Sequence, residues 1–475
     1  MMLLQEAAQV LHARWQGENA RFTGVSTDSR TLRQGDLFVA LTGERFEGCR
    51  FVQDAHDNGA AAAMVGLKAD TDTLSAEIPV IFVNNTRLGL GQLGAYWRAQ
   101  FSMPVIAVTG SNGKTTVKDM LAAILYQSTA GVKNASRNSV VAQSVLATEG
   151  NLNNDIGMPL MLLRMRDSHQ FAVIEMGMNH MGEIAYLTEL AKPDVAVITN
   201  AGLAHLQGLG SVEAVAQAKG EIFAGLSANG TAVINADDPY VSLWRTLADG
   251  RQVVDFGIDK QSKHAQVFAE YQTDICGSKL LLQLPDGEID VNLHVPGVHN
   301  IRNALAAAAA AVAVDIDKKT IAAGLQCFKG VRGRLQIKRG YNNAVLIDDS
   351  YNANPESVRA ALAVLSAAKG KKILVLGDMG ELGRSSIDLH RTIGEEARRA
   401  RLDKLLTLGE LSRYASEAFG CNARHFTDMD VLLDCATELL DADVTMLVKG
   451  SRFMHMEQVI RRLEVSNAGG ETGVV

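Results

Sequence analysis

The sequence predicts an α/β protein of three domains: a small N-terminal α/β domain over 1–84, a central domain with a parallel sheet over 85–328, and a Rossmann-like α/β domain over 329–475. Three observations carry this. The 475 residues exceed what a single hydrophobic core usually supports. Short apolar strands alternate with helical stretches through the middle of the chain, the signature of βαβ units. The same alternation restarts after Gly330-Val331-Arg332-Gly333-Arg334, which marks a third unit.

The first unit carries Val25-Ser26-Thr27-Asp28-Ser29-Arg30, the apolar run Leu37-Phe38-Val39-Ala40-Leu41 and a polar loop through Gly43-Glu44-Arg45-Phe46-Glu47-Gly48. A helix-like stretch runs from Asn85 to Trp97, and Val105-Ile106-Ala107-Val108 opens the second unit. Its further strands are read at Phe171–Ile174, Val195–Ile198 and Thr231–Ile234, before an Ala-rich helix at Ala304–Val314. In the third unit strands are expected at Val345–Ile347, Ile373–Leu376, Leu405–Leu408 and Met446–Val448.

Composition excludes several classes. Apolar residues at 47% and charged residues at 21% are ordinary for a globular chain. A net charge of -7 with scattered basic residues argues against nucleic acid and against an anionic membrane surface. The longest apolar run is too short to span a bilayer, so no membrane insertion is expected. The start, Met1-Met2-Leu3-Leu4-Gln5-Glu6, has no basic segment ahead of its apolar residues, so no signal peptide is expected. Cys49, Cys276, Cys327, Cys421 and Cys435 form no CxxC pair, which fits reduced thiols and a cytoplasmic location.

The strongest chemical signal is Thr109-Gly110-Ser111-Asn112-Gly113-Lys114-Thr115-Thr116, a strand entering a glycine turn and then a helix. Small residues let backbone N–H groups converge on phosphate oxygens, and the helix adds its positive end. Lys114 supplies a point charge, and the Thr115 hydroxyl suits Mg²⁺. The strict pattern wants glycine at position 108, where valine stands, so the loop is a shortened variant. Glu175 closes a buried strand, where parallel sheets place ligands, and can hold a metal or equally a salt-bridge partner. From the residues alone His205 reads as a loop histidine, Lys219 as a surface helix lysine, and Asn300 and Asn303 as either helix-start or purine-edge amides.

The glycine loop resembles that of the Mur ligases and folylpolyglutamate synthases, and later motifs follow in that family's order. They are Asn153–Pro159, Glu175, Asn200–His205, Ala218–Glu221, Gly297–Asn303, Gly333-Arg334, Asp348–Pro355, Gly377–Gly383 and Lys449–Arg452. The resemblance spans nearly the whole chain and implies a central P-loop ATPase domain that uses ATP and Mg²⁺, with two metal ions expected. It assigns Gly110, Ser111, Asn112, Gly113, Lys114, Thr115, Thr116, Asn300, Asn303, Arg334 and Asp349 to the nucleotide. Lys114, Glu175, His205 and Lys219 become catalytic candidates, and Thr115, Glu175, His205 and a carbamylated Lys219 the metal set.

The same resemblance places a uridine diphosphate site at Ser26, Thr27, Arg45 and Phe46 in the first domain, and the incoming amino component at Asn352, Asn354, Lys449 and Ser451 in the third. The run Asp348-Asp349-Ser350-Tyr351-Asn352-Ala353-Asn354-Pro355, without an Asp-Asn-Pro-Arg motif, is similar to the members that add D-alanyl-D-alanine to UDP-N-acetylmuramoyl-tripeptide. The reaction implied is ATP-dependent amide formation through an acyl phosphate, by a monomer acting on small molecules. A sister ligase or folylpolyglutamate synthase, and a non-catalytic nucleotide-binding protein, remain the alternatives. The chain departs from the family pattern at Val132–Val141, an addition after the first central helix, at Cys49 and at Arg332.

Overall fold

The computed structural model describes residues 1–43, 46–68, 78–129 and 144–465. Its three α/β domains are each built on one main sheet. The N-terminal sheet has five strands: Gly24–Ser26, Asp36–Val39, Ala62–Gly66 and Val80–Val83 run parallel in that order, and Arg14–Gln16 pairs antiparallel with the last. Asn85 caps the helix Thr86–Arg98 by accepting from Arg87 N and Leu88 N, which explains why the helix starts where the polar residue stands.

The central sheet has nine strands. Val105–Thr109 lies between Phe171–Glu175 and Val195–Ile198, all parallel, with Thr231–Asn235 and Gln252–Gly257 beyond. Buried on both faces, the first four of these strands read as largely apolar runs. The sequence reading did not resolve the far edge, where Val267–Asp274, Gly277–Leu284 and Gly287–Leu293 form antiparallel hairpins. Alternation in Lys279-Leu280-Leu281-Leu282-Gln283-Leu284 and the Asp286-Gly287 turn are the signals that could have found them. The Ala-rich helix Val298–Val312 packs its buried alanines against this sheet and the helix Lys114–Thr129.

The C-terminal sheet has six strands. Val345–Asp349, Val444–Lys449, Lys371–Gly377, Lys404–Leu408 and Ala423–Phe426 are parallel neighbours in that order, and Gln336–Arg339 adds antiparallel to the first. Parallel strands release their chains at their C-terminal ends. The glycine loop and Glu175 of one sheet therefore face Asp349, Gly380, Glu381, Lys449 and Ser451 of the other across a cleft of about 820 Å³.

Candidate active site

The glycine loop is held from behind by the next strand end. Asn200 receives the Asn112 N–H on Oδ1 at 2.9 Å and donates Nδ2 to Asn112 O at 3.0 Å, while the Ser111 N–H donates to Asn200 O at 3.0 Å. The Thr199 hydroxyl also donates to Asn112 O at 2.6 Å. The Ser111 and Asn112 N–H groups thus both bond to Asn200. The Gly113–Thr116 amides open the helix Lys114–Thr129, the end that attracts anions. Lys114 Nζ donates to Gly110 O at 2.6 Å, and burial lowers its pKa, with Glu175 opposing. Asn200 was not singled out from the sequence, although its motif was.

Thr115 and Glu175 meet as expected. The Thr115 hydroxyl donates to Glu175 Oε2 at 2.9 Å and accepts from Arg334 Nη2 at 2.9 Å. Asn153 Nδ2 donates to Glu175 Oε1 at 2.7 Å, and the Glu175 N–H donates to the Thr148 hydroxyl at 2.8 Å. Asn153 thus gives the polar turn before Pro159 a definite task, orienting the carboxylate.

Lys219 is not the surface lysine its helix suggests. It is fully buried, and burial first and Lys114 second push its pKa well below the ordinary lysine value. His205 takes a left-handed backbone conformation (φ 59°) and turns Nδ1 to within 2.9 Å of Glu381 in the C-terminal domain, so its partner here is not Glu175. Glu381, held below its ordinary pKa chiefly by His205, is a residue that sequence reasoning missed. Its position after Gly377-Asp378-Met379-Gly380 at a strand end was the available signal.

Asn300 and Asn303 are buried together. Asn303 Nδ2 donates to Asn300 Oδ1 at 3.2 Å, and Asn300 Nδ2 donates to Pro296 O at 2.8 Å, so the pair shapes a helix start bordering the cleft. Across the cleft, Asp349 pairs with Lys449 at 2.6 Å and accepts from Leu335 N at 3.3 Å, while burial raises its pKa against the nearby lysine. Arg334 lies 4.6 Å from the Tyr351 ring centre.

The four residues expected to take the amino component line the cleft, and each also bonds within the protein. Lys449 Nζ also donates to Asn352 O at 2.8 Å, and Asn352 Oδ1 accepts from Ala353 N at 2.9 Å. Ser451 Oγ accepts from Gly380 N at 2.7 Å and donates to Ala353 O at 3.2 Å. Asn354 caps the helix Pro355–Ser366 with Oδ1 and donates Nδ2 to Asn112 Oδ1 at 2.8 Å. These bonds fix the wall of the cleft, with Asn352 exposed on it.

A further contact joins the same two domains. Glu356 Oε2 accepts from Asn112 Nδ2 and Oε1 from the Leu203 N–H, each at 3.1 Å, over a glycine, Gly202, whose Cβ would fall 1.8 Å from Glu356 Oε2. In the N-terminal domain the Ser26 hydroxyl exchanges bonds with the Asp28 backbone at 3.1 Å, and Thr27 follows on the same loop. Arg45 and the Phe46 side chain lie outside the described residues, as does the 132–141 stretch.

This two-sided cleft agrees with what the chain matches. Residues 21–98 match the model described as Mur ligase family, catalytic domain, residues 108–311 the Mur ligase middle domain, and residues 333–452 the Mur ligase, glutamate ligase domain. The chain belongs to the Mur ligase family. Among curated Mur ligases it is 42% identical to the UDP-N-acetylmuramoyl-tripeptide--D-alanyl-D-alanine ligase of Escherichia coli (strain K12), covering 97% of this chain and 98% of that one. It is 35% identical to the Bacillus subtilis (strain 168) protein of the same name, with 94% of each covered. A crystal structure of MurF from Acinetobacter baumannii superposes with a TM-score of 0.87 at 36% identity, covering 96% of this chain and 97% of that one. MurF from Thermotoga maritima, in complex with ADP, superposes with a TM-score of 0.79 at 26% identity, covering 94% and 98%.

Proposed function

We propose that this Mur ligase joins D-alanyl-D-alanine to UDP-N-acetylmuramoyl-tripeptide with hydrolysis of ATP to ADP and phosphate. One observation carries the reading: a nucleotide loop on one domain and a strand-end wall on another close on a single cavity, alongside near full-length similarity to ligases named for this reaction. The first domain, 1–84, takes the UDP-sugar through Ser26, Thr27, Arg45 and Phe46. Residues 85–328 take ATP, and residues 329–475 the amino component.

The residues fit a magnesium site completed by the nucleotide. Among the described residues no three His, Cys, Asp or Glu side chains stand close enough to hold a metal alone. Thr115 and Glu175 are in contact, and Mg²⁺ characteristically takes one or two carboxylates with phosphate oxygens and water. His205 joins the set if its ring leaves Glu381. Buried Lys219 favours an uncharged amine, the form that can add carbon dioxide, and its carbamate would add a second anion beside Glu175. When bound, magnesium neutralises charge on the transferring phosphoryl group.

The chain's own groups do the rest. The Gly110–Thr116 loop orients the phosphates, Asn300 and Asn303 border the base, and Lys114 faces the phosphoryl group being passed to the tripeptide carboxylate. Arg334 and Asp349 bring the third domain to the nucleotide. The amine of the dipeptide then attacks the acyl phosphate, forming the amide and releasing phosphate and a proton. Docking of the third domain keeps water from the acyl phosphate. Among the described residues no helix is long and apolar enough to cross a membrane. A cytoplasmic location is part of the proposal.

The test is phosphate release from ATP and magnesium with the tripeptide precursor and D-alanyl-D-alanine, omitting each in turn and weighing the product. Release that needs every component and yields the pentapeptide supports the reading. Release only with L-alanine, D-glutamate, a diamino acid or a folate would move the chain to a sister reaction.

A further inference from the structure

A zwitterionic dipeptide asks three things of its site: a cation for its carboxylate, apolar surface for its two methyl groups, and an open path from its amine to the acyl phosphate. Among the described residues five fixed cations line the cleft: Lys114, Arg302, Arg334, Lys449 and Arg452. Lys114 bends back to Gly110 O on the nucleotide loop. Arg302 lies between Asp237 and Asp259, at 3.6 and 3.2 Å. Arg334 donates to Thr115, and Lys449 is buried against Asp349.

Arg452 is different. Its side chain is 60% exposed, its acidic partner Glu457 at 3.3 Å is not among the cleft residues, and its guanidinium lies 5.8 Å from the Tyr351 ring centre. The next residue, Phe453, is 60% exposed on the same cleft wall, with its ring edge over Gly380. It has the greatest exposure of the large apolar side chains among the described residues. An aromatic ring left open beside a solvent-facing guanidinium is the apolar and cationic pairing that the dipeptide requires. The short turn Arg452–Met454 is fixed at its base by the two Ser451 hydroxyl bonds, so both side chains are presented from a rigid support.

We propose that Arg452 binds the terminal carboxylate of the incoming dipeptide and that Phe453 covers its methyl groups, making this pair, rather than Lys449 and Ser451, the direct reader of the amino component. This rests on the ligase reading above. Lys449, Ser451 and Asn354 then act as positioning residues beneath the reader. A guanidinium also matches a carboxylate in two parallel bonds, which a lysine ammonium cannot do.

The experiment compares D-alanyl-D-alanine with its C-terminal amide, in the wild type and in Arg452→Gln. A charge-assisted bond of this kind corresponds to roughly tenfold to a hundredfold in KM. The wild type should favour the acid over the amide by that factor. Arg452→Gln should raise the KM for the acid to near that for the amide, leaving the KM values for ATP and the tripeptide precursor unchanged. Phe453→Ala should raise the KM for D-alanyl-D-alanine more than that for glycylglycine, which has no methyl groups. Equal use of acid and amide by the wild type would overturn the assignment without any variant, and so would retained discrimination in Arg452→Gln. A wild type that joins a different amino component, and never D-alanyl-D-alanine, would overturn the ligase reading and this inference with it.

Discussion

Alanine at Asn112 and Glu356, singly and together, measures whether the domain contact in this structure exists in the working enzyme. Asn112 Nδ2 donates to Glu356 Oε2 at 3.1 Å across the cleft. A hydrogen bond to an ionised acceptor contributes about 1.5–3 kcal/mol, and half-buried Glu356 belongs at the lower end of that range. Each single change removes a further bond, Asn112 to Asn354 and Glu356 to the Leu203 N–H, but the double-mutant cycle cancels those. The coupling expected in kcat/KM for ATP is therefore about 1.5 kcal/mol, a little over tenfold. Gly202→Ala gives a steric version of the same test. Its Cβ would sit 1.8 Å from Glu356 Oε2, so it should resemble Glu356→Ala in the wild type and add little once that side chain is gone. Additive single effects, with coupling under about 0.5 kcal/mol, would refute the claim that this docked arrangement carries the chemistry.

Three further outcomes follow from the same geometry. Lys219→Arg, which places a cation at this buried position and cannot be carbamylated, should lose about a hundredfold or more in turnover in the phosphate-release assay, and Lys219→Ala should do the same; wild-type activity in Lys219→Arg would remove the carbamate from the site. His299 is held at about 4 by burial, with Lys449 and Arg302 adding to the effect, against 6.5 for an ordinary histidine. Because its folded pKa is depressed, the unfolded chain binds the extra proton, so its contribution is fully present above pH 6.5 and is lost as pH falls through 4. Denaturant unfolding should show up to about 3 kcal/mol of this loss, less for the solvent in the cleft, and His299→Asn should flatten it. Trp244 is fully buried and donates Nε1 to Ala216 O at 3.0 Å. Trp244→Ala should cost about 3–5 kcal/mol by the same unfolding measurement, against less than about 1.5 kcal/mol for an exposed change such as Val431→Ala.

What the sequence made legible, and what it hid, separate along physical lines. Strands buried on both faces announce themselves as apolar runs, and Val195–Ile198 is read to the residue because both faces of that strand are in the core. The edge hairpins of Val267–Leu293 were missed because their burial alternates along half-exposed strands, leaving a weaker signal. Thr115 and Glu175 could be foreseen because strand ends in parallel sheets converge. The burial of Lys219 could not, since its helix carries the residue types of a surface segment and only the packed sheet removes the lysine from water. The partners Asn200, Glu356 and Glu381 stand 88, 244 and 176 residues from Asn112, Asn112 and His205, and no local pattern links residues so distant in the chain. The same distance hides the bonds behind the C-terminal wall. The resemblance and their place at strand ends make Lys449, Ser451 and Asn354 candidates for the amino component, but their partners are not local in the sequence. In the assembled protein each is bonded to another strand end or to the nucleotide loop, so a change of substrate preference should follow changes at Arg452 and Phe453, whereas changes at Lys449 should depress every step that needs the wall intact.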